Sequence, residues 1–426
     1  MANASSHREL PVTGSSRRLP ARRGRRTGVR GLLVSGLIGA VAWQSFAEPV
    51  PARSVRYEPM PTYLAVPLDR AGKLAAALPL YQARATQTQT KADRLRYAGA
   101  LLRAGRVAEA QTVYDALLAE AGSGEHGGVA GRDQPGLCGS NALTKGFPEV
   151  ALAYLRPAYA AQPGDLRLGL LLVRAYAAVG DPGAARRVLA ELDHPPAQLA
   201  IGQRLELARG YILTGDVVSG RTLLDMEIEP SVAQMYRESI LADMALRDGD
   251  WARVDAGLSA AERKAPASLN DTRIDRAWRN VQRELRSVQL RRAIALWKLG
   301  QHEAAAAETS RAEASDEEFV RSAALLLHVA VAVSHGRTGE ATKLLDRLGG
   351  HDVRFTATTT HLRQSLGQRS DDVEAGAELV AILASQDRAA SHVTEPLLDI
   401  LRETLATAAE RPLVLHSTAV TAPRGR

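Results

Sequence analysis

Several residue combinations in the sequence approach known catalytic or ligand-binding motifs, but each lacks a part that the chemistry requires. Gly122–Gly127 fits G-x-G-x-x-G, yet it follows a helical stretch and leads into more loop, whereas a dinucleotide site needs a strand before and a helix after. His302-Glu303 has no second histidine four residues on, so the zinc motif H-E-x-x-H is incomplete. His328 and His335 lie seven residues apart without a cysteine or acid to complete a metal site.

Two further motifs are absent from the sequence. It contains no G-x-S-x-G nucleophile turn and no phosphate loop ending in Gly-Lys-Ser/Thr. We therefore predict that the chain is not an enzyme and uses no cofactor and no metal. The single cysteine, Cys138, cannot form an internal disulfide, so stability must come from packing. We expect it to be a small buried residue in a helix.

The first 47 residues have the parts of a secretory signal. Seven arginines between Arg17 and Arg30 precede an apolar run from Gly31 to Phe46, and small residues at Ser45 and Ala47 precede Glu48. We predict cleavage between Ala47 and Glu48, and the alternative is an uncleaved membrane anchor. Both place the rest of the chain outside the cytoplasm, in the periplasm. Residues 25–29 also resemble a loose twin-arginine export pattern.

The positive charge of the chain is concentrated in this leader. The net charge is +7, with 54 basic and 47 acidic residues, but residues 1–47 hold eight arginines and one acid. The remaining 379 residues have 46 basic and 46 acidic side chains. Because the body is neutral, we predict no nucleic-acid partner. Contact with a membrane is expected only through an uncleaved leader.

Beyond the leader, turns containing glycine recur between apolar helical stretches. Five of the seven intervals between them are 33–36 residues, and the other two are 41 and 51 residues. Glycine suits these turns because it leaves a helix in a left-handed conformation without a Cβ clash. The turn glycines are Gly72, Gly105, Gly146, Gly180, Gly215, Gly249, Gly300 and Gly336.

Side chains at fixed distances from each glycine keep the same register. Closely crossing helices need small residues where they meet, and large apolar residues fill the space between neighbouring pairs. Five residues after the glycine the sequence has Ala77, Ala110, Ala151, Ala185, Gly220, Val254, Ala305 and Ala341. Seven residues before it are Ala98, Gly139, Val173, Ala208, Ala242, Ala293 and Val329. Nine residues after it are Tyr81, Tyr114, Leu155, Leu189, Leu224, Leu258, Thr309 and Leu345, of which only Thr309 is not large and apolar.

This register resembles the tetratricopeptide repeat from about residue 70 to residue 385. The resemblance implies an all-α fold, a right-handed α-solenoid of about eight helix pairs. We predict a leader at 1–47, an extended linker at 48–70, the solenoid at 71–385, a capping helix at 386–411 and a flexible tail at 412–426. Insertions are expected near 120–136, as a loop, and near 267–285, as an extended helix.

In this family the first helix of each pair lines a concave groove, which implies a set of candidate partner-binding residues. These are Arg167, Arg174, Arg209, Tyr236, Asp243 and Trp297. Arginine can bind a carboxylate through two parallel hydrogen bonds, and Tyr or Trp offers broad contact area. Such a groove would suit an extended peptide with an acidic group or a free carboxyl terminus. The family's best-known carboxylate groove uses Asn and Lys at fixed places, and that set is not found here.

The predicted function follows from export and from the usual role of such repeats. We expect a non-enzymatic periplasmic scaffold or adaptor of a Gram-negative bacterium, with a protein or peptide partner in an envelope assembly such as polysaccharide export or pilus or secretion biogenesis. The alternative is a solenoid that binds carbohydrate or peptidoglycan, which would need exposed aromatics, although aromatics make up only 4% of the residues. An enzyme would instead show a polar cluster with shifted pKa values in a cleft.

Overall fold

The computed structural model describes residues 62–123, 134–192, 198–226, 231–265, 275–368 and 373–410. All of them belong to one compact unit, Pro59–Arg426. Within these ranges the chain forms 19 α-helices joined by short turns, with no β-strand, so the predicted all-α solenoid is confirmed. The leader at 1–47, with its predicted cleavage site, residues 48–61 and the tail at 412–426 lie outside the described residues. The described part of the predicted extended linker at 48–70 is helical instead: Thr62–Leu64 forms a 3-10 turn and Ala65–Arg70 an α-helix, so the linker prediction is wrong for these residues.

The first 16 helices form eight consecutive pairs. They are α1 (Ala65–Arg70), α2 (Leu74–Thr88), α3 (Lys91–Arg103), α4 (Val107–Ser123), α5 (Gln134–Thr144), α6 (Pro148–Ala161), α7 (Leu166–Ala178), α8 (Pro182–Glu191), α9 (Ile201–Leu213), α10 (Val217–Asp225), α11 (Ser231–Arg247), α12 (Trp251–Lys264), α13 (Asp275–Lys298), α14 (His302–Ala312), α15 (Glu318–Ser334) and α16 (Thr338–His351). Three more helices follow: α17 (Thr356–Gln368), α18 (Val373–Gln386) and α19 (Ser391–Glu410).

The turn inside each pair is built as the sequence predicts. All eight turn glycines have φ between +70° and +88°, a region that side chains with a Cβ rarely adopt. At Gly180 the amide N–H donates to Ala177 O, and the N–H of Asp181 donates to Tyr176 O, so the free carbonyls at the end of α7 are used. The Asp181 carboxylate then accepts from the Ala184 N–H and begins α8.

The predicted register of small and large residues lies in the core. The second-helix alanines Ala77, Ala110, Ala151, Ala185, Ala305 and Ala341 have no exposed surface. A Cβ built on Gly139 would lie 2.5 Å from Leu155 Cγ, so α5 and α6 approach closely where the sequence predicts it. Thr309, the exception among the large positions, is buried and donates its hydroxyl proton to Ala305 O.

Two predicted departures from the repeat fall partly on described residues. The insertion near 267–285 is helical from Asp275 onward, where it extends the first helix of the seventh pair to 24 residues. The loop near 120–136 is bounded by α4, which ends at Ser123, and α5, which begins at Gln134. The second half of the G-x-G-x-x-G match lies outside the described residues.

The C-terminal helix does more than cap the last pair. α19 contacts α15 and α18, and it also reaches α13 and α11 further back along the array. The short 3-10 turn before it, Arg388–Ala390, contacts α7. The predicted capping helix therefore lies across the first helices of earlier pairs. The repeat pattern relates only neighbouring helices, so it cannot predict this contact with earlier pairs.

The C-terminal elements also close onto the turn edge of the first four pairs, and we call this contact the closing seam. A Cβ built on Gly350 would lie 1.9 Å from Gly72 O, so the two backbones touch. Arg354 donates to Gly146 O over 2.8 Å and stacks 4.1 Å from the ring centre of Phe147. Arg388 donates to Val179 O over 3.0 Å. The solenoid therefore turns back on itself instead of remaining open.

A group of buried charges lies in the closing seam. The Arg103 guanidinium donates to both carboxylate oxygens of Asp69 at 2.7 Å, and its Nε lies 3.6 Å from Glu318. Arg321 donates to the same carboxylate oxygen of Glu318, Oε2. Burial alone would raise the pKa of Asp69, but the charge of Arg103 lowers it well below its usual range. These groups come from the first, second and eighth pairs, so the ion cluster joins the two ends of the array.

Candidate functional site

Closure of the array leaves a cavity of about 760 Å³ on its concave side, the concave cavity. Its helical walls come from the first helices of pairs three to eight, namely α5, α7, α9, α11, α13 and α15, and from the segment 386–393. None of the second helices contributes a lining residue in the part of the chain that the structure describes. The first helices therefore face inward, as the tetratricopeptide resemblance implies.

Five of the six candidate groove residues line this cavity. Arg167 and Arg174 come from α7, Arg209 from α9, and Tyr236 and Asp243 from α11. The sixth, Trp297, is not among its lining residues. Its side chain is only 7% exposed and its ring packs edge-on against His302 at 4.5 Å. Trp297 is the penultimate residue of α13 and faces the core, so the expectation of an exposed tryptophan in the groove is wrong.

An ion network occupies the wall formed by α9, α11 and α13. Glu284 accepts from Arg209 at 2.8 Å, lies 3.3 Å from Arg291, and is hydrogen-bonded to Ser239. Arg291 also pairs with Asp243. Burial alone would raise the pKa of Glu284, but the two arginines lower it to about 2. These side chains already satisfy one another, so they hold the three helices together before any ligand arrives.

Arg174 differs from these arginines. It is exposed to the cavity and has no hydrogen bond or ion pair with any described residue. Its charge acts on two carboxyl groups in the same cavity. Burial raises the pKa of Asp387 to about 6 and also raises that of Glu317, and in both cases the charge of Arg174 partly offsets the effect. Arg174 is therefore a cation available to a ligand, next to two carboxylates that can accept N–H groups.

His392 also lines the cavity, from the first turn of α19. Its Nδ1 is buried without a hydrogen-bond partner among the described residues, and its Nε2 is 3.9 Å from Asp243. Burial lowers the pKa of His392 to about 4, and the charge of Asp243 offsets only part of this effect. The ring is therefore neutral near pH 7.

Sequence reasoning missed the cavity residues that come from outside the first helices of the central pairs. Asp387 and His392 reach the cavity only because the C-terminal segment folds back over the groove, whereas Glu317 directly precedes α15. One local signal existed for α13: the insertion is charged and helical in pattern, and its residues Arg283, Glu284 and Arg291 line the cavity. The sequence could not show that these side chains face the cavity, because the cavity forms only when the two ends of the array come together.

The remaining motifs have structural roles. Cys138 is fully buried in α5, and burial raises the pKa of its thiol to about 12, as expected of a core cysteine. His328 is bonded to Glu313. In the described ranges, no three His, Cys, Asp or Glu side chains cluster as metal ligands would. No helix in those ranges combines the length and apolar character needed to span a bilayer.

Comparisons with known proteins return structural neighbours only. No protein-family model matches the sequence, and no curated protein matches it significantly. Among solved structures, a monomeric IFIT1 mutant with m7Gppp-AAAA is 14% identical, with a TM-score of 0.40, covering 75% of this chain and 77% of that one. The human IFIT1 dimer with m7Gppp-AAAA is 13% identical, with a TM-score of 0.36 and coverages of 82% and 90%. By its own geometry, the chain is a helical repeat protein with tetratricopeptide-like pairs and a cavity on its concave side.

Proposed function

We propose that this chain is a non-enzymatic periplasmic binding protein that holds a short carboxylate-bearing segment of a partner protein in its concave cavity. The observation that carries the proposal is the position of Arg174, a cation without an ion pair inside a cavity lined by the first helices. The partner would belong to an envelope assembly such as polysaccharide export or pilus or secretion biogenesis.

The size of the cavity limits what can bind. At about 760 Å³ it lies in the range of pockets that enclose a compact ligand, roughly 300–1,000 Å³. A folded partner domain cannot enter it, but a chain end or a short extended segment can. The sequence predicts an open groove, but the closed array has a smaller site that fits only a few residues of a partner.

The chemistry of the lining favours a polypeptide. An arginine guanidinium offers paired donors to a carboxylate, while Glu317 and Asp387 can accept backbone or amino N–H groups from the same ligand. The side chain of Tyr236 is half-buried and adds contact area near the centre of the cavity. A peptide supplies both kinds of group within a few ångströms of each other.

The same lining is less suited to two other ligand classes. Five arginines and five acidic residues line the cavity, a balance that differs from the net positive surfaces that bind nucleic-acid backbones. Two aromatic side chains, Tyr236 and Phe319, reach it, which leaves little surface for stacking sugar rings. We therefore place peptide binding before carbohydrate or peptidoglycan binding.

Location in the periplasm is part of the proposal and is supported by the sequence of residues 1–47. An arginine-rich start, a short apolar run and small residues before Glu48 are the features that direct a chain across the inner membrane. The body would then be free in the periplasm or tethered by an uncleaved leader.

One observation favours a second candidate, an enzyme. The carboxyl groups of Asp387 and Glu317 have raised pKa values inside a cavity, as acid–base catalysts often do. Buried ion networks also shift pKa values, and Asp387 has a structural role because it accepts from the Ala389 N–H to begin a 3-10 turn. Binding therefore remains the better explanation, and Asp387→Asn should leave partner capture within about threefold.

The test is photo-crosslinking in living cells, with a photoreactive residue placed at Tyr236 or at Asn280, an exposed lining residue of the concave cavity, so that Arg174 is kept; the control position is exposed Arg187 on α8. We expect one dominant protein adduct from the two cavity positions and none from Arg187. In a separate pull-down, Arg174→Gln should reduce capture of that partner at least about tenfold, because a charge-assisted hydrogen bond contributes roughly 1.5–3 kcal/mol. Arg187→Gln is the matched control. A folded periplasmic protein without a protein adduct at either cavity position would exclude this function.

A further inference from the structure

A second cavity of about 680 Å³, the edge cavity, lies on the turn edge of the array. One wall is formed by the turns at Gly180, Gly215 and Gly249 and by side chains of the adjoining helices. The opposite wall is formed by Arg388 and by the first turns of α19, as far as Asp399. The edge cavity therefore exists only because the C-terminal segment closes against pairs four to six.

Three arginines line the edge cavity, and each is bound to one backbone carbonyl. Arg186 Nε donates to Thr214 O over 3.0 Å, Arg247 Nη1 to Ile212 O over 2.7 Å, and Arg388 Nη1 to Val179 O over 3.0 Å. Carbonyls at the ends of helices commonly accept from such side chains. These bonds fix the position of each guanidinium without neutralising its charge.

None of the three arginines has an ion pair within the described ranges, although all are exposed. The acids on the opposite wall do not balance them. Asp399 lies 3.8 Å from Lys298, outside the cavity, and Glu395 has no partner in the described part of the chain. Among the lining residues, three cations thus face one unpaired carboxylate; outside the lining, the carboxylate of Asp216, which caps α10, also interacts with the charge of Arg186. Each guanidinium also retains N–H groups that no described residue accepts, and these can bind carboxylates in pairs.

An aromatic side chain completes the wall. Trp251, at the start of α12, is half-buried and lines the edge cavity beside the arginines of the adjacent turns. Tryptophan and arginine are the side chains that most often dominate peptide recognition. His392, Leu213 and Ala389 separate the edge cavity from the concave cavity, since they line both.

We propose that the edge cavity is a second binding site, distinct from the concave cavity, for an acidic segment of a partner polypeptide. Arg186, Arg247 and Arg388 bind its carboxylates, and Trp251 packs against its apolar parts. The charge of the site selects the ligand. An acidic segment supplies the negative charge that the three arginines lack, whereas a basic segment would be repelled by them. This site does not depend on what the concave cavity binds.

The test uses the full-length protein with a photoreactive residue at Ser391, which lines the edge cavity and is exposed, and a biotinylated hexaglutamate peptide as the probe. A local crosslink is needed because the arginine-rich leader also attracts the probe. We expect an adduct at Ser391 that hexaglutamine does not give and that weakens with added salt. A photoreactive residue at Tyr236 reports the concave cavity in parallel.

The matched variants remove equal charge. Arg186→Gln, Arg247→Gln and Arg388→Gln together should reduce the Ser391 adduct at least about tenfold, as expected for loss of charge-assisted bonds. Arg187→Gln, Arg221→Gln and Arg253→Gln together remove three exposed charges from the second helices and should change it less than twofold. Glu395→Gln breaks no described contact and should increase the adduct severalfold, which keeps the test valid if the triple variant is unstable.

Three outcomes would overturn the inference while leaving the proposed function intact. They are no hexaglutamate adduct at Ser391, equal losses in the two triple variants, and an adduct at Tyr236 alone that Arg174→Gln abolishes. Conversely, absence of a cellular partner at Asn280 and Tyr236 would remove the proposed function without affecting hexaglutamate binding at Ser391.

Discussion

The contacts between neighbouring pairs and the closing seam hold the same molecule together by different chemistry. Neighbouring helices meet through small and large apolar residues, such as Ala151 and Leu155, which are fully buried. The seam joins the ends of the array through the ions Asp69, Arg103 and Glu318 and through arginines bound to backbone carbonyls. Apolar packing tolerates variation in detail, whereas a buried ion cluster fails when one member is removed. The array should therefore survive changes that open the seam.

The largest expected effect comes from removing the central ion of the seam. Arg103→Met leaves buried Asp69 without its main partner and removes one of the two arginines beside Glu318, which should lower the free energy of unfolding by about 3–5 kcal/mol. Urea unfolding followed by circular dichroism measures the loss. The control is Arg106→Met, three residues further on, which breaks an exposed pair with Glu109 and should have little effect. Equal losses in both variants would contradict a special role of the seam.

A pair of glycine variants separates seam contact from backbone strain. Gly72 and Gly249 have nearly the same φ, +73° and +70°. A Cβ at Gly72 would lie 2.8 Å from Arg347 O, whereas a Cβ at Gly249 would meet nothing within 4 Å. Gly249→Ala should lower the free energy of unfolding by about 1–2 kcal/mol, because alanine is strained in the left-handed backbone conformation. Gly72→Ala should lower it by about 2–4 kcal/mol, because the backbone at Arg347 must also move away from the new Cβ. Identical melting shifts for the two variants would show that the contact contributes nothing.

The smallest expected effect is a pH dependence that arises in the seam. Burial lowers the pKa of His351 to about 4 from 6.5, and its ring faces Arg321, Glu318, Asp69 and Arg103. Between these values the unfolded chain binds more protons, so stability falls as the pH falls. Relative to His351→Gln, the natural protein should lose about 1 kcal/mol between pH 7.5 and pH 5.5. Exposed His335→Gln is the control. The prediction would be refuted if the difference in unfolding free energy between the natural protein and His351→Gln did not change with pH.

The two regions also differ in how well the sequence predicts them. Turn glycines and the residues five and nine positions after them predict eight pairs and their core, because those contacts are local and periodic. Arg103 and His351 contact each other across 248 positions, and no periodic pattern relates them. Five groove residues were found from the repeat register, but Asp387 and His392 enter the site only through closure. The repeat register places Trp297 in the groove, but that face of α13 packs in the core.

The contact between Gly72 and Gly350 has a consequence for how the chain unfolds. In an open array each repeat contacts only its neighbours, so the terminal repeats fray first and stability is nearly a sum of local terms. Here the first turn is held by the eighth pair, and neither end can loosen without the other. Amide hydrogens in α2 and α16 should exchange together in one cooperative opening. The seam can close only after Gly350, Arg354 and Arg388 have been synthesised, so closure is a late step that joins residues far apart in the sequence.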